Sequence, residues 1–232
     1  MLVYGMRHIV LDTETTGFNA EGDDRIVEVG ALELVNYVPT GKTFHHYVNP
    51  QRKIPENVTA IHGITDEMVR DKPIWAEIGG DFLEFIGDAK LVIHNAEFDM
   101  RFLNAEMGRM GFQPMPMSRA IDTLMLARGL FPGAPNSLDA LCKRYNVDNS
   151  GRTYHGALLD SQLLAEVFLE LAGGRQPELI GGGKINALSL SENDEPEIET
   201  ILWPARTFAA DKDEEIAHRK MVEGIKEALW TK

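Results

Sequence analysis

Along the first two thirds of the chain, apolar and polar positions fall into short strand-like runs followed by stretches of helical spacing. Residues 7–13, 25–35 and 43–49 are rich in β-branched and apolar side chains, with Gly17 to Asp24 and Pro39, Thr40, Gly41 between them. They read as neighbouring strands joined by short turns, an antiparallel meander. Trp75, Ile78, Phe82, Phe85 and Ile86 then mark one face of a helix, and Leu91, Val92, Ile93 a compact apolar strand. A helix between strands suggests a parallel crossover. Helical spacing returns over 98–110, a short strand fits 120–122, and 137–145 reads as a helix capped by Asn136 or Ser137. The last strong helix covers 157–172, where Leu159, Leu163, Val167 and Leu164, Phe168, Leu171 recur every three or four residues before Gly173 and Gly174 stop it. The expected fold class is α/β, a mixed five-stranded sheet with helices on its faces.

The pattern breaks beyond residue 174. Gly181, Gly182 and Gly183 precede a run with Glu192, Asp194, Glu195, Glu197 and Glu199 and no basic residue, which reads as a flexible, self-repelling linker. Order is expected again at 201–203 and over 213–230, where Ile216, Met221, Ile225 and Leu229 approach helical spacing, but such a tail is too short to fold alone. The chain therefore divides into a domain over 1–174, a linker over 175–200 and a tail over 201–232.

At 232 residues and 44% hydrophobic content the chain supports a substantial core. No apolar run reaches the roughly 18 residues that would suggest a membrane span, and Met1 to Arg7 has no signal-peptide character, so a cytoplasmic protein without membrane contact is expected. Cys142, the single cysteine, lies among Leu138, Leu141 and Tyr145 and reads as a small buried apolar residue. The formal charge of −13 argues against tight unaided binding of a phosphate backbone. Divalent ions would reverse the local sign.

Candidate chemistry begins with Asp12 and Glu14, which follow Ile9, Val10, Leu11 and precede Thr15, Thr16, Gly17. Side chains alternate along a strand, so both acids leave one face and repel each other unless a cation or a shared proton lies between them. Two later segments hold further candidates. In His94, Asn95, Ala96, Glu97, Phe98, Asp99 the apolar strand runs into a helix, with Asp99 in its first turn. In Tyr154, His155, Gly156, Ala157, Leu158, Leu159, Asp160, five residues of helix would rotate a side chain by roughly 140°. His155 is therefore expected on a loop that swings over the site. Taken singly these are ordinary residues: a polar strand edge, a helix-start acid, a loop histidine. Asp122 and Asp139 read as helix-start acids and stay outside the expected site.

Taken together, Asp12 and Glu14 in Asp-Thr-Glu-Thr-Thr-Gly, Asp99 in His-Asn-Ala-Glu-Phe-Asp, and His155 with Asp160 in His-Gly-Ala-Leu-Leu-Asp resemble the three motifs of the DEDDh exonucleases. The resemblance spans residues 7–174. It includes Ile61 to Ile64 and Asn136 to Cys142, and is strongest to the epsilon proofreading subunits of bacterial DNA polymerase III. It implies a ribonuclease H-like sheet and 3′–5′ hydrolysis of single-stranded DNA ends by two Mg²⁺ or Mn²⁺ ions, releasing nucleoside 5′-monophosphates. Hard oxygen ligands suit those ions.

The resemblance further implies that Asp12 bridges both ions, Glu14 and Asp160 complete the site of the attacking water, Asp99 supports the second ion, and His155 takes the water's proton. A histidine, with an ordinary pKa of about 6.5, is suited to that task near neutral pH. Thr15, His62, Asn95 and Phe102 are expected to grip the terminal nucleotide, beside Asp12, Glu14, His155 and Asp160. His62 reads equally as a turn residue beside Gly63, Asn95 as a strand-end hydrogen bonder, and Phe102 as core. The tail 201–232 is similar to the family's segment that binds the polymerase alpha subunit, and 176–180 occupies the place of its sliding-clamp peptide without the usual aromatic or methionine-rich end. Two rival readings share these features, an RNA-processing DEDDh exonuclease and a noncatalytic scaffold between polymerase and clamp.

Overall fold

The structure, a computed structural model, describes residues 6–152, 154–173 and 212–224. Five strands, β1 (Arg7–Thr15), β2 (Ile26–Val35), β3 (Val38–Tyr47), β4 (Lys90–Ile93) and β5 (Ala120–Asp122), form one sheet in the order β3-β2-β1-β4-β5. β1 pairs antiparallel with β2, β2 antiparallel with β3, and β4 lies parallel to both β1 and β5. Meander and parallel crossover both stand where the hydrophobic pattern put them.

One turn moved. Asn36 and Tyr37, at φ 52° and 66°, form the two-residue connection between Val35 and Val38, and Pro39 and Thr40, expected in the turn, lie within β3. β3 is the sheet's edge, and an edge strand tolerates proline because its missing N–H need not cost a ladder bond.

Alternation along the strands separates two cores. Ile9 and Leu11 of β1, Val29 and Ala31 of β2 and Leu91 and Ile93 of β4 pack with α3 (Trp75–Ile86) and α4 (Ala96–Arg109), through Trp75, Phe82, Met100 and Phe102. Val10, Leu32, Leu34 and Val92 face the other way, toward α5 (Thr123–Leu130), α6 (Leu138–Tyr145) and α7 (Ala157–Leu171). Cys142 belongs to this second core, where burial raises its thiol to about 11. The hydrophobic pattern did not reveal two short helices, α1 (Glu56–His62) and α2 (Asp66–Val69); Ile54 and Ile64, on either side of α1, and Val69 of α2 form a smaller cluster with Val27.

The second core brings α7 onto the active face of β1. Gly30 is the cross-strand partner of Asp12, and a Cβ there would lie 2.2 Å from the backbone nitrogen of Leu158. Only glycine lets the helix start that close to the sheet. Ser161 Oγ, donating to the Gly30 carbonyl at 2.9 Å, fixes the crossing.

In the second unit of the chain, α8 (Lys212–Glu223) is helical as its spacing predicts, with Ile216 and Met221 exposed. The expected linker, the 176–180 peptide and the remainder of the tail lie outside the described residues.

Candidate active site

Asp12 and Glu14 project from the end of β1 on the α7 side, with Gly30 and Glu28 as their cross-strand partners. β4 pairs with β1 only as far as Val10, so the β1 backbone beyond it has no strand on that edge. Asp99, in the first turn of α4, fills the gap: its Oδ1 accepts from the Thr13 backbone N–H at 3.0 Å and from Thr13 Oγ1 at 2.7 Å. Asp122 sets the start of α4 by accepting from the backbone N–H groups of Asn95 and Ala96, both at 3.2 Å, and also caps α5 through Leu124 at 2.8 Å. It is the helix-start acid the sequence predicts, serving two helices.

Asp160 comes from the first turn of α7 and is 3% exposed. His155 sits just before that helix on a loop, as expected, its backbone N–H donating to the Ile61 carbonyl at 3.3 Å. Tyr154 packs over Gly63, where a Cβ would lie 3.1 Å from the ring. Glu28 closes the arrangement by accepting from Ala157 N–H at 3.1 Å while contacting His45 Nε2 at 2.7 Å. Ligand atoms of Glu14, His155 and Asp160 all lie within 4.8 Å of one another.

These acids are held at an electrostatic cost. Burial first, then the charges of Asp99, Glu14 and Asp160, raises the Asp12 carboxyl well above the usual carboxylate range. Burial, with Asp160, Glu28 and Asp99, pushes Glu14 up to about 8. Burial likewise raises Asp99 to about 7, against the pull of its hydrogen bonds from Thr13. Carboxylates that repel this strongly and offer hard oxygen donors fit divalent cations such as Mg²⁺ or Mn²⁺.

All five predicted catalytic residues, Asp12, Glu14, Asp99, His155 and Asp160, line one cleft of about 890 Å³. Of the predicted nucleotide contacts, Asn95 lines it too. Phe102 does not: it is 1% exposed in the α3–α4 core, and Phe98, one helical turn earlier and 5.0 Å away between ring centroids, is the ring that faces the cleft. Thr15 is buried, and its hydroxyl donates to the Gly17 carbonyl at 2.6 Å, shaping the loop after β1. His62 is buried, and its Nδ1 accepts from Ile64 N–H at 3.0 Å, so a neutral ring carries its proton on Nε2, for which no hydrogen-bond partner exists among the described residues. Burial lowers its pKa, which keeps the ring neutral.

Three cleft residues escaped the sequence reading of the site. Arg152 forks onto Asp160, with Nε 2.6 Å from Oδ1 and Nη2 2.5 Å from Oδ2. Asp139, expected only as a helix-start acid, accepts from Arg152 Nη1 at 2.7 Å. Arg128 is an exposed cation on the cleft lining without an ion-pair partner among the described residues. A smaller groove of about 540 Å³ holds Arg25, Arg52 and Arg109, but these already pair with Glu106, Asp24 and Glu106 respectively.

A family model described as exonuclease matches residues 9–168. The DNA polymerase III subunit epsilon of Rickettsia felis is 56% identical over 174 residues, covering 74% of this chain and 76% of that protein. Its namesake from Salmonella typhimurium is 41% identical over an alignment of 239 residues that covers 97% of each. Among solved structures, exonuclease X in complex with 5′ overhanging duplex DNA is 31% identical with a TM-score of 0.56, covering 71% of this chain and 90% of that one. The nuclease domain of 3′hExo, a DEDDh family member bound to rAMP, shares the fold at 20% identity and a TM-score of 0.61, over 73% and 92% of the two chains.

Proposed function

Since the chain belongs to the exonuclease family, in the group of DNA polymerase III epsilon subunits, we propose that it removes mispaired nucleotides from single-stranded DNA 3′ ends, proofreading for the replicative polymerase. The observation that carries this reading is the meeting of Asp12, Glu14, Asp99, His155 and Asp160, drawn from β1, α4, a loop and α7, in one cleft.

Asp12, Glu14 and Asp160, with Asp99 in support, would hold two Mg²⁺ or Mn²⁺ ions, which would supply the positive charge that an in-line displacement at phosphorus needs. His155 accepts the proton of the attacking water, its exposed position on the cleft lining giving the imidazole access to solvent. Phe98 offers a stacking face to the terminal base, and Phe18, 71% exposed with its ring centroid 6.2 Å from that of Phe98, widens this apolar wall. Arg128 is placed for a backbone phosphate. None of these contacts reads a base edge, which suits an enzyme that must accept any mispair. The products are nucleoside 5′-monophosphates, and the setting is the cytoplasm, where replication subunits act.

Comparing monophosphate release from mismatched DNA primers, paired primers and short RNA oligomers tests the assignment. Mismatched DNA is expected to turn over fastest. A strong preference for RNA would transfer the same site to RNA processing, and no release with Mn²⁺ would leave only the scaffold reading.

The tail supplies the partner. α8 exposes Ile216 and Met221, apolar side chains suited to burial against the polymerase alpha subunit. Tethering through 175–200 would raise the local concentration of the nuclease at the primer end. Deleting residues 201–232 is expected to leave primer hydrolysis within about twofold and to abolish copurification with the alpha subunit; retained copurification would place the contact elsewhere. The 176–180 peptide is the candidate contact for the sliding clamp.

A further inference from the structure

Arg152 is 8% exposed at its side chain, yet it lies on the residues that do the chemistry. Besides the two-pronged contact with Asp160, its Nη2 reaches His155 Nδ1 at 2.7 Å and its Nη1 reaches Asp139 Oδ1 at 2.7 Å. A guanidinium has donors only, so at His155 the imidazole Nδ1 must be the acceptor, and the proton of the neutral ring is on Nε2. The lone pair at Nδ1, and one in-plane position on each Asp160 oxygen, are all spent on one cation.

The third contact differs in kind. Asp160 is 4% exposed at its side chain and Asp139 58%, so the guanidinium bridges a buried carboxylate and a solvated one. Asn149 Nδ2, donating to Asp139 Oδ1 at 3.0 Å, holds that outer carboxylate in place. An Arg152 side chain that left Asp160 would keep a charged partner at the cleft rim.

We infer that Arg152 is a positioning latch that competes with the divalent cation for Asp160. The fork holds Asp160 and His155 together; a cation that takes the Asp160 oxygens displaces it toward Asp139, and the same movement removes the donor that His155 Nδ1 accepts from. Cation binding and the hydrogen bonding of His155 are thereby coupled through one side chain. The inference rests on the reading of Asp160 as an ion ligand given above.

The test uses the full chain stripped with EDTA and titrated with Mn²⁺, free ion being read by electron paramagnetic resonance. R152Q, which removes the competing charge and the fork, is expected to bind Mn²⁺ about tenfold more tightly than wild type, the scale of one charge-assisted hydrogen bond that no longer opposes the ion. R152K, which keeps the charge without the fork, is expected to fall between them. A brace with a purely structural role predicts the opposite sign, because loosening the ligands weakens the site. In the wild type, ¹⁵N spectra of the histidine rings are expected to show the His155 Nδ1 resonance leaving its hydrogen-bonded acceptor position on saturation with Mg²⁺, and in R152Q to show the released position before any ion is added. Equal or weaker Mn²⁺ binding by R152Q and R152K overturns the competition, and a wild-type Nδ1 resonance unmoved by Mg²⁺ overturns the release. Absence of Mn²⁺ binding by the wild type is a distinguishable failure, since it removes the ion-ligand reading itself.

Discussion

Asp12→Asn is expected to slow hydrolysis of a mismatched primer by at least ~10³-fold while raising the melting temperature of the EDTA-treated protein. The rate loss follows from the position of Asp12 among Asp99, Glu14 and Asp160: under the proposed function it would be a ligand of the ions, and losing about 4 kcal/mol of transition-state stabilisation is already a thousandfold effect. The stability gain has the other sign because Asp12 is an electrostatic liability without a cation. Its carboxyl is raised well above the ordinary range by burial and by Asp99, Glu14 and Asp160, while Glu14 sits at about 8 and Asp99 at about 7. Acids raised in the fold bind protons that the unfolded chain has released, so stability falls as pH rises from about 4, where unfolded carboxyls ionise, toward 8. Asparagine removes one of these charges and relieves the others. The gap in melting temperature between variant and wild type should therefore widen from pH 5 to pH 8 in EDTA and close when Mg²⁺ is added to the wild type. A variant that melts below wild type at pH 8 in EDTA would mean that Asp12 supports the fold, contrary to this account.

His155→Ala is expected to lower the single-turnover rate by about 10² to 10⁴ with Mn²⁺ binding retained, the usual scale for loss of a general base. The loop that carries His155 is anchored independently of the imidazole, by its own backbone bond to Ile61 and by Tyr154 over Gly63, so truncation should leave the loop in place. The four carboxylates that would hold the ions stay in place. A loss of less than about tenfold would make the imidazole a partner of Arg152 and nothing more.

Much of this site is legible in the sequence because strand parity is a strong constraint. Two acids separated by one residue leave the same face of a strand, and Ile9, Val10 and Leu11 place that strand inside the molecule. Asp99 and Asp160 are legible as acids in the first turns of helices that follow apolar strand-end or glycine signals. Phe98 and Phe102 show where that legibility stops. They are four residues apart on one helix face, and their spacing is the same whether the cleft meets the first ring or the second. The docking of α4 beside Thr13 settles it, burying Phe102 and leaving Phe98 at the lining. Pro39 is a similar case, since a turn signal and an edge strand ask the same of a missing N–H.

Arg152, Asp139 and Glu28 fell outside the expected site for a different reason. Each is an ordinary charged residue in its local context, a loop cation, a helix-start acid and a strand acid, and what makes it part of the site is a partner brought to it by the fold: Glu28 meets Ala157, 129 residues on. The sequence alone determined which strand side chains share a face and where the longer helices lie, and it nominated the acids and the histidine of the site, because backbone periodicity and capping act over a few residues. Only the tertiary structure decided which acids meet, which ring faces the cleft and which cation holds Asp160, because burial and charge pairing depend on elements brought together by packing the two faces of one sheet.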